Sequence, residues 1–466
     1  MTSDWIETTL GDYIDFKNGR TSPDRSDNAP IPVYGSNGII GYTKESNAPE
    51  NSLIIGRVGS YCGSVYHSYN QSWITDNAIL GLPKNKDESE FWYFLLLRLD
   101  LNNFRSGSGQ PLLNQTTLNS IPIQIPNSSN IRVLIGKHLM KFDEKIELNR
   151  QINQTLEQIA QAIFKSWFID FEPVKAKVIV KEKGGNELAQ SLAVQAIICG
   201  ATTLEELQAM DAGYQGLEAQ LHPLITARFP EQHGLDYWTP ETISTLAAYF
   251  PNELVDSDIG VIPQGWSIGT LNDICMLNVN SWTQNNAPNE IWYVDLANTK
   301  NGVIEEVQYF TWDDSPSRAR RIVNTGDTII GTVRPGNRSY ALIGSENKKL
   351  TASTGFAVLT PKSQEYIEYV YIAATSDSSI ERLAHLADGA VYPAVRPDVV
   401  ISMEVVLPHN SVFKAFSQIT RPMFLYRDKS ISQAELLANC CDSLLPKLLS
   451  GEITFDETEP TTEDVA

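Results

Sequence analysis

The feature that most constrains this 466-residue chain is an internal similarity of very long period. Trp5, Leu10 and Asp12 near the start recur as Trp266, Leu271 and Asp273, with the same spacing among the three. The run Leu53-Ile-Ile-Gly-Arg-Val58 is echoed by Thr328-Ile-Ile-Gly-Thr-Val333, and Pro83-Lys84 by Pro361-Lys362. Pro111 answers Pro393, Ile123-Gln-Ile-Pro126 answers Val405-Val-Leu-Pro408, and Lys165 answers Lys447. The spacing between echoes grows along the chain, so the second half has gained residues, which loops tolerate best. A period this long excludes a solenoid and implies a duplicated pair of domains.

Each half follows one plan. Short β-branched runs bounded by Gly, Pro, Asn and Ser predict a mixed, strand-rich domain, and a long helix closes the half. The fold class expected is therefore α+β. In the first closing helix, Ile131 to Phe168, a heptad seam takes Leu139, Ile146, Asn153, Ala160 and Trp167 at a positions. Its d positions are Phe142, Asn149, Leu156 and Ile163. Such a helix spans about 57 Å at 1.5 Å per residue. Asparagine inside a seam costs stability but fixes register and partner. The second helix offers Phe416, Ile419, Met423, Tyr426, Leu437, Cys440 and Leu444, again with a polar middle at Ser430 and Gln433. Pro422 is expected to start or kink it, and Gly451 stands where a C-terminal cap belongs. Two such helices in one duplicated chain are expected to pack on each other, antiparallel. The alternative is that each packs on its own domain.

Residues 181–250 break the repeat, with acidic amphipathic helices expected at Asn186 to Leu207 and Tyr214 to Ala227. The tail from Asp456 to Ala466 is acidic and lacks core formers, a composition that predicts disorder.

Charge bears on partners. The net charge of −20 opposes DNA binding, which starts from phosphate neutralisation. Almost half of that excess lies within residues 181–262, however, and the flanking domains are only mildly acidic. Nothing resembles a secretory signal, and no apolar run is long enough to span a bilayer, so a cytoplasmic location and no membrane partner are expected. Five scattered cysteines, with no CxxC, predict reduced thiols. Six histidines that do not cluster with them predict no zinc site.

Signatures of catalysis are missing. There is no Pro-Pro for an adenine methyltransferase turn and no phosphate loop. Gly35, Gly38 and Gly41 have the spacing of a strand-connecting turn, not of a dinucleotide fingerprint. The acids of Asp170-Phe-Glu172-Pro-Val-Lys175 have the wrong spacing for a metal-dependent nuclease and read as a helix terminus.

What remains are polar, Gly-rich loops. In the first half they hold Lys17, Arg20, Ser36, Asn37, Arg57, Arg105, Ser108, Gln110 and Asn114. In the second they hold Arg318, Arg320, Arg334, Asn337, Arg338, Thr354, Tyr392 and Arg396. Arg bonds guanine bidentately, Asn and Gln do so with adenine, and Gly lets backbone approach phosphates. These residues are the DNA-contact candidates, although each loop alone also fits an ordinary solvated turn.

Taken in order, these segments resemble the specificity-subunit family of Type I restriction-modification systems over nearly the whole chain. The carrying motifs are Trp5…Leu10-Gly-Asp12 and its repeat, Ile55-Gly-Arg-Val-Gly59, and Ile330-Gly-Thr-Val-Arg-Pro335. Others are Ser106-Gly-Ser-Gly-Gln-Pro111, Ile163-Phe-Lys-Ser-Trp-Phe168 and Asp256-Ser-Asp-Ile-Gly260 leading to Trp266.

The resemblance implies two pseudo-repeated mixed α/β target-recognition domains, 1–130 and 256–408, separated by two long antiparallel coiled-coil helices, 131–175 and 409–455. An acidic helical linker, 176–255, and the tail, 456–466, complete the expected division. Each domain would grip half of a split, asymmetric target in double-stranded DNA. The partners implied are two modification (methyltransferase) subunits and restriction subunits. This chain would hold no catalytic residue, metal or cofactor. S-adenosylmethionine would belong to the modification subunits, and ATP and Mg to the restriction subunits. Two other readings remain: an enzyme with an unrecognised motif, and an acidic decoy that imitates DNA.

Overall fold

The structure, a computed structural model, describes residues 5–105, 112–210, 214–229, 239–258, 260–344, 350–389 and 393–453. It divides into two units. Residues 1–150 with 433–466 form the first and residues 151–432 the second.

In the first unit, strand Trp5–Thr9 pairs antiparallel with Pro122–Pro126. Thr9 then caps the short turn Leu10–Asp12 in a reciprocal capping box. Hydroxyls of Thr8 and Thr9 each donate to Asp12 Oδ2 at 2.8 Å, which holds that carboxyl below its ordinary range. Lys84 Nζ closes the turn by donating to the Gly11 and Asp12 carbonyls at 3.0 and 2.9 Å.

An antiparallel sheet follows in the order Ile14–Asn18, Ala78–Pro83, Ser52–Gly56, Val65–Ser68. A second sheet has the order Gly38–Thr43, Ile31–Gly35, Trp73–Ile74, its last pair parallel. The apolar run Leu53-Ile-Ile55 lies between two cores because side chains alternate across a strand. Leu53 and Ile55 pack with Phe91, Trp92 and Leu95 of helix Ser89–Arg98, and Ile54 packs with Tyr34, Ile74 and Leu80.

The second unit contains the same set of relationships. Ser267–Thr270 pairs antiparallel with Glu404–Leu407, and Thr270 forms a capping box with Asp273. Lys362 Nζ donates to the Asn272 and Asp273 carbonyls at 2.7 and 3.1 Å. The first sheet runs Cys275–Leu277, Phe356–Pro361, Thr328–Gly331, Tyr340–Leu342. The second runs Gln308–Thr311, Glu290–Val294, Leu350–Ser353, Ala319–Ile322, again with one parallel pair, here the central one. Ile330 faces one core and Ile329 the other.

The first long helix is Ser129–Phe164, continued by a π-helical turn, Lys165–Ile169. It stops at Phe171, whose φ of +53° is left-handed, and the separate helix Glu172–Glu182 starts there. The expected helical segment 131–175 is corrected accordingly. Lys165 pairs with Asp170 and Ser166 Oγ donates to Glu172 Oε2 at 2.6 Å, so both acids serve the helix end.

The second long helix is Asn410–Ser450, so Pro422 lies inside it and does not start it. Gly451, at φ +76°, follows as the expected cap, and a Cβ there would meet Trp5 Nε1 at 2.4 Å.

Among the described residues the inserted segment holds the helices Glu172–Glu182, Glu187–Ile198, Leu204–Ala209, Tyr214–Ala227 and Pro240–Ala248. Val180, Ala193, Leu207, Leu217 and Leu221 share a small core of their own. The single helix expected over Asn186 to Leu207 is two helices. Gly200, at φ +67°, ends the first, and Thr203 caps the second with Glu206 in a capping box. The tail, 456–466, lies outside the described residues. All five cysteines are free. Among the described residues no helix is long and apolar enough to cross a membrane.

Candidate nucleic-acid interface

In the first unit, four polar loops meet at one end of the sheets. Ser36, in the Gly35–Gly38 turn, donates its hydroxyl to the Asn77 carbonyl and accepts from Ser64 Oγ through its own carbonyl, the latter at 2.6 Å. Arg57 is clamped by backbone hydrogen bonds from its amide to Asn77 O at 2.9 Å and from Leu113 N to its carbonyl at 3.0 Å. Its Nη1 reaches the Asp76 carbonyl at 3.4 Å, and its buried Nε has no hydrogen-bond partner among the described residues. Arg20 joins through its amide to Ile74 O at 2.9 Å.

Two glycines permit this convergence. A Cβ at Gly19 would stand 2.0 Å from Thr75 O, and one at Gly56 2.1 Å from Tyr61 O. Lys17, Asn37 and Arg105 are exposed. Asn114 caps helix Gln115–Ser120 by accepting from Thr117 N at 2.9 Å, which gives its carbonyl oxygen a local task. Ser108 and Gln110 lie outside the described residues.

The second unit builds a different cluster at the matching end. Thr354 N donates to the Arg318 carbonyl at 2.8 Å, placing two exposed side chains together. Arg320 stacks over Trp312 at 4.4 Å from the ring centre and donates to its neighbour's carbonyl. Arg321 donates to Ser281 Oγ at 3.3 Å, and burial lowers its pKa.

Arg334 and Arg338 bracket the turn Pro335–Asn337 and both occupy the left-handed region, at φ +48° and +60°. Conformations of this kind cost on the order of 1 kcal/mol or more each in non-glycine residues. Arg334 N donates to Pro393 O at 2.7 Å, which ties the turn to the 393–396 segment. Asn337 is exposed there. Arg338 is drawn into an ion pair with Asp377, so its guanidinium is committed within the protein. Arg396 is exposed, with Asp398 3.5 Å away. Tyr392 lies outside the described residues.

Residues 2–158 match the family model of the Type I restriction modification DNA specificity domain. The chain is 26% identical over 404 residues to the Type I restriction enzyme HindI specificity subunit of Haemophilus influenzae, covering 82% of this chain and 79% of that one. It is 21% identical over 388 residues to the MjaIX specificity subunit of Methanocaldococcus jannaschii, covering 81% and 72%. The first third of the chain thus carries a Type I DNA specificity domain, and the chain over most of its length is similar to Type I specificity subunits. In fold it is similar to a Type I restriction-modification S subunit from M. genitalium, with a TM-score of 0.53, 13% identity and 97% of each chain covered.

The helix-seam candidates fall into both units. In the first, Leu139, Phe142 and Asn149 meet the second long helix, and Ile146 is buried. Asn149 Nδ2 donates to Gln433 Oε1 at 2.9 Å, and Leu139 and Phe142 share a core with Cys441, Leu444 and Leu448. Asp143 lies beside Cys441 and Asp442, so the two helical pieces run in opposite directions. In the second unit, Glu157 meets Arg427 at 3.4 Å and Phe164 meets Phe416 at 6.1 Å between ring centres, again antiparallel. Met423 and Ile163 pack against that core; Asn153, Leu156 and Leu437 are half-buried.

The heptad phase fails at two places. Tyr426 is 51% exposed, and its neighbours Phe424 and Arg427 are buried instead. Cys440 is half-exposed while Cys441 enters the core. At the first helix's end, the π turn directs Trp167 and Phe168 together into the core around Phe416.

Two anchors went unnoticed in the sequence. Arg132 grips Glu88 in a buried fork, Nε to Oε2 at 3.0 Å and Nη2 to Oε1 at 2.8 Å. Arg421 grips Glu368 with the same fork at 2.8 and 3.2 Å. Each unites a long helix with the start of a domain helix. No motif announces them, because arginine forks are made by tertiary approach and not by local spacing.

Proposed function

We propose that this chain reads a bipartite, asymmetric DNA target and catalyses nothing itself. Its two pseudo-repeated domains would each engage one half of the target. The long helices, paired as an antiparallel coiled coil, would fix the unread gap. The observation that carries this reading is the twofold occurrence of one strand order, each ending in a cluster of arginine-bearing loops, with different residues in the two clusters. Unlike loops imply unlike half-targets.

Modification subunits would bring S-adenosylmethionine and perform adenine methylation, and restriction subunits would bring ATP and Mg. Two modification subunits per chain match two domains. They would also supply the positive surface that a chain of net charge −20 lacks. A cytoplasmic location follows from this role.

The test is to map methylated adenines in the DNA of cells carrying this chain with its modification subunit. One motif, two unlike half-sites and a fixed gap are expected. A continuous motif, or methylation or cleavage by the purified chain alone, would overturn the reading.

A further inference from the structure

Strand Ala319–Ile322 is an outer strand of the second sheet of the second unit. Its register against Leu350–Ser353 shifts between Ala319 and Arg321, a β-bulge. Bulges gather beside functional sites, where they re-aim a side chain. This one carries Arg320 and Arg321 in succession. The segment 280–282 pins it from outside. Trp282 N donates to the Arg320 carbonyl at 2.8 Å, and Ile322 N donates to the Asn280 carbonyl at 3.2 Å.

The two arginines have different surroundings. Arg320 stacks over Trp312 and donates to the Ala319 carbonyl. Arg321 is half-buried, and its Nε is shut off from water with no hydrogen-bond partner among the described residues. Its side chain makes a single long hydrogen bond there, from Nη1 to Ser281 Oγ at 3.3 Å. No carboxylate among the described residues pairs with it, and burial alone lowers its pKa. Ser281 accepts that hydrogen bond, while its own hydroxyl proton has no acceptor among the described residues. A guanidinium and a hydroxyl, braced against each other, thus offer donors only.

A partly desolvated charge costs free energy until a counter-charge meets it. A base edge carries no formal charge and leaves that deficit standing. A phosphodiester brings a full negative charge and oxygens that only accept, and the planar guanidinium fork suits it. The exposed Arg318 adds positive charge just before the strand. We propose that Arg321, propped by Ser281, anchors one backbone phosphate of DNA and so positions the second unit without reading a base. This rests on the DNA-reading function proposed above. Phosphate contacts fix register and orientation on the duplex and carry no sequence information.

The experiment follows binding of the full chain, assembled with its modification subunit, to two DNA duplexes across a salt series. One duplex carries the mapped methylation motif and the other a scrambled one. Arg321→Gln should weaken both on the order of tenfold, as loss of a charged hydrogen bond does. The slope of log affinity against log salt should become shallower by about 0.9, the share of one phosphate. The methylated motif should stay as it was, with the thermal midpoint level or raised. Arg321→Lys should keep the wild-type slope, because it keeps the charge. A motif position that relaxes at an unchanged slope would make Arg321 a base reader and overturn the proposal. Unaltered affinity for both duplexes would overturn it, as would a lowered midpoint, which gives the charge a partner inside the fold. A weakened hold on the modification subunit at an unchanged salt slope would assign the anion to a carboxylate of that subunit and overturn it equally. A wild-type complex that does not distinguish the two duplexes would instead overturn the DNA-reading function, and this proposal with it.

Discussion

Asn149 and Gln433 stand 284 positions apart in the chain, yet the amide of one donates to the amide oxygen of the other at 2.9 Å. Asn149 is 1% exposed. Gln433 is exposed, but a buried asparagine amide is poor at stabilising and good at choosing, because only one register brings it a partner. We expect Asn149→Leu to leave the thermal midpoint level or raised, by about 1 kcal/mol in stability, while methylation maps acquire additional gap lengths. A lowered midpoint with one unchanged gap would assign Asn149 to stability alone.

Arg132 and Glu88 are both almost fully buried, at 6% and 2% side-chain exposure. Removing one partner strands the other charge, a loss of about 3–5 kcal/mol. Arg132→Met should lower stability by that amount in chemical denaturation. Arg421→Met should cost less, because Arg421 is a third exposed and screened by water.

The same pair sets an acid limit. Burial would raise the Glu88 carboxyl, but hydrogen bonds from Arg132 and Ser129 outweigh it and bring the pKa below its ordinary 4.5. A depressed carboxyl contributes stability above its unfolded value and loses it as pH falls through the folded value. The folding free energy of the wild type should therefore drop on acidification below about pH 4.5. Glu88→Gln should show a shallower acid limb. An equal slope in both proteins would remove Glu88 from the acid response.

Lys84 and Lys362 do the same work in the two units, each donating to two carbonyls of a Thr-capped turn. Replacing either by Met should cost about 1 kcal/mol, the net worth of an exposed charge-assisted contact. The two effects should add, since they lie in separate units.

These lysines were legible in the sequence because Pro-Lys recurs in step with the Leu-x-Asp turn. So were the apolar runs that became central strands, and the polar middle of the helical seam. Side-chain fates were less legible. Tyr426 fits a heptad on paper, but the helix carries Pro422 just before it and buries Arg427 against Glu157, Tyr371 and Phe424 instead. Arg338 has the composition of a DNA contact, and Asp377, from a distant helix, occupies its guanidinium. Asn114 has the side chain of a base reader, and its carbonyl oxygen caps a helix. Pattern reveals periodicity and recurrence; it does not reveal which distant acid will meet a given arginine.

The most direct measurement exchanges one loop residue at a time and maps the methylated motif. Arg57→Lys keeps the charge but removes the planar fork, and should relax one position of one half-site, worth about 1–3 kcal/mol of discrimination. Arg318→Lys should act on the opposite half-site only, with gap and strand polarity intact. Changes confined to separate halves are predicted. A single substitution that alters both halves, or neither variant altering any position, would contradict the division of labour between the two units.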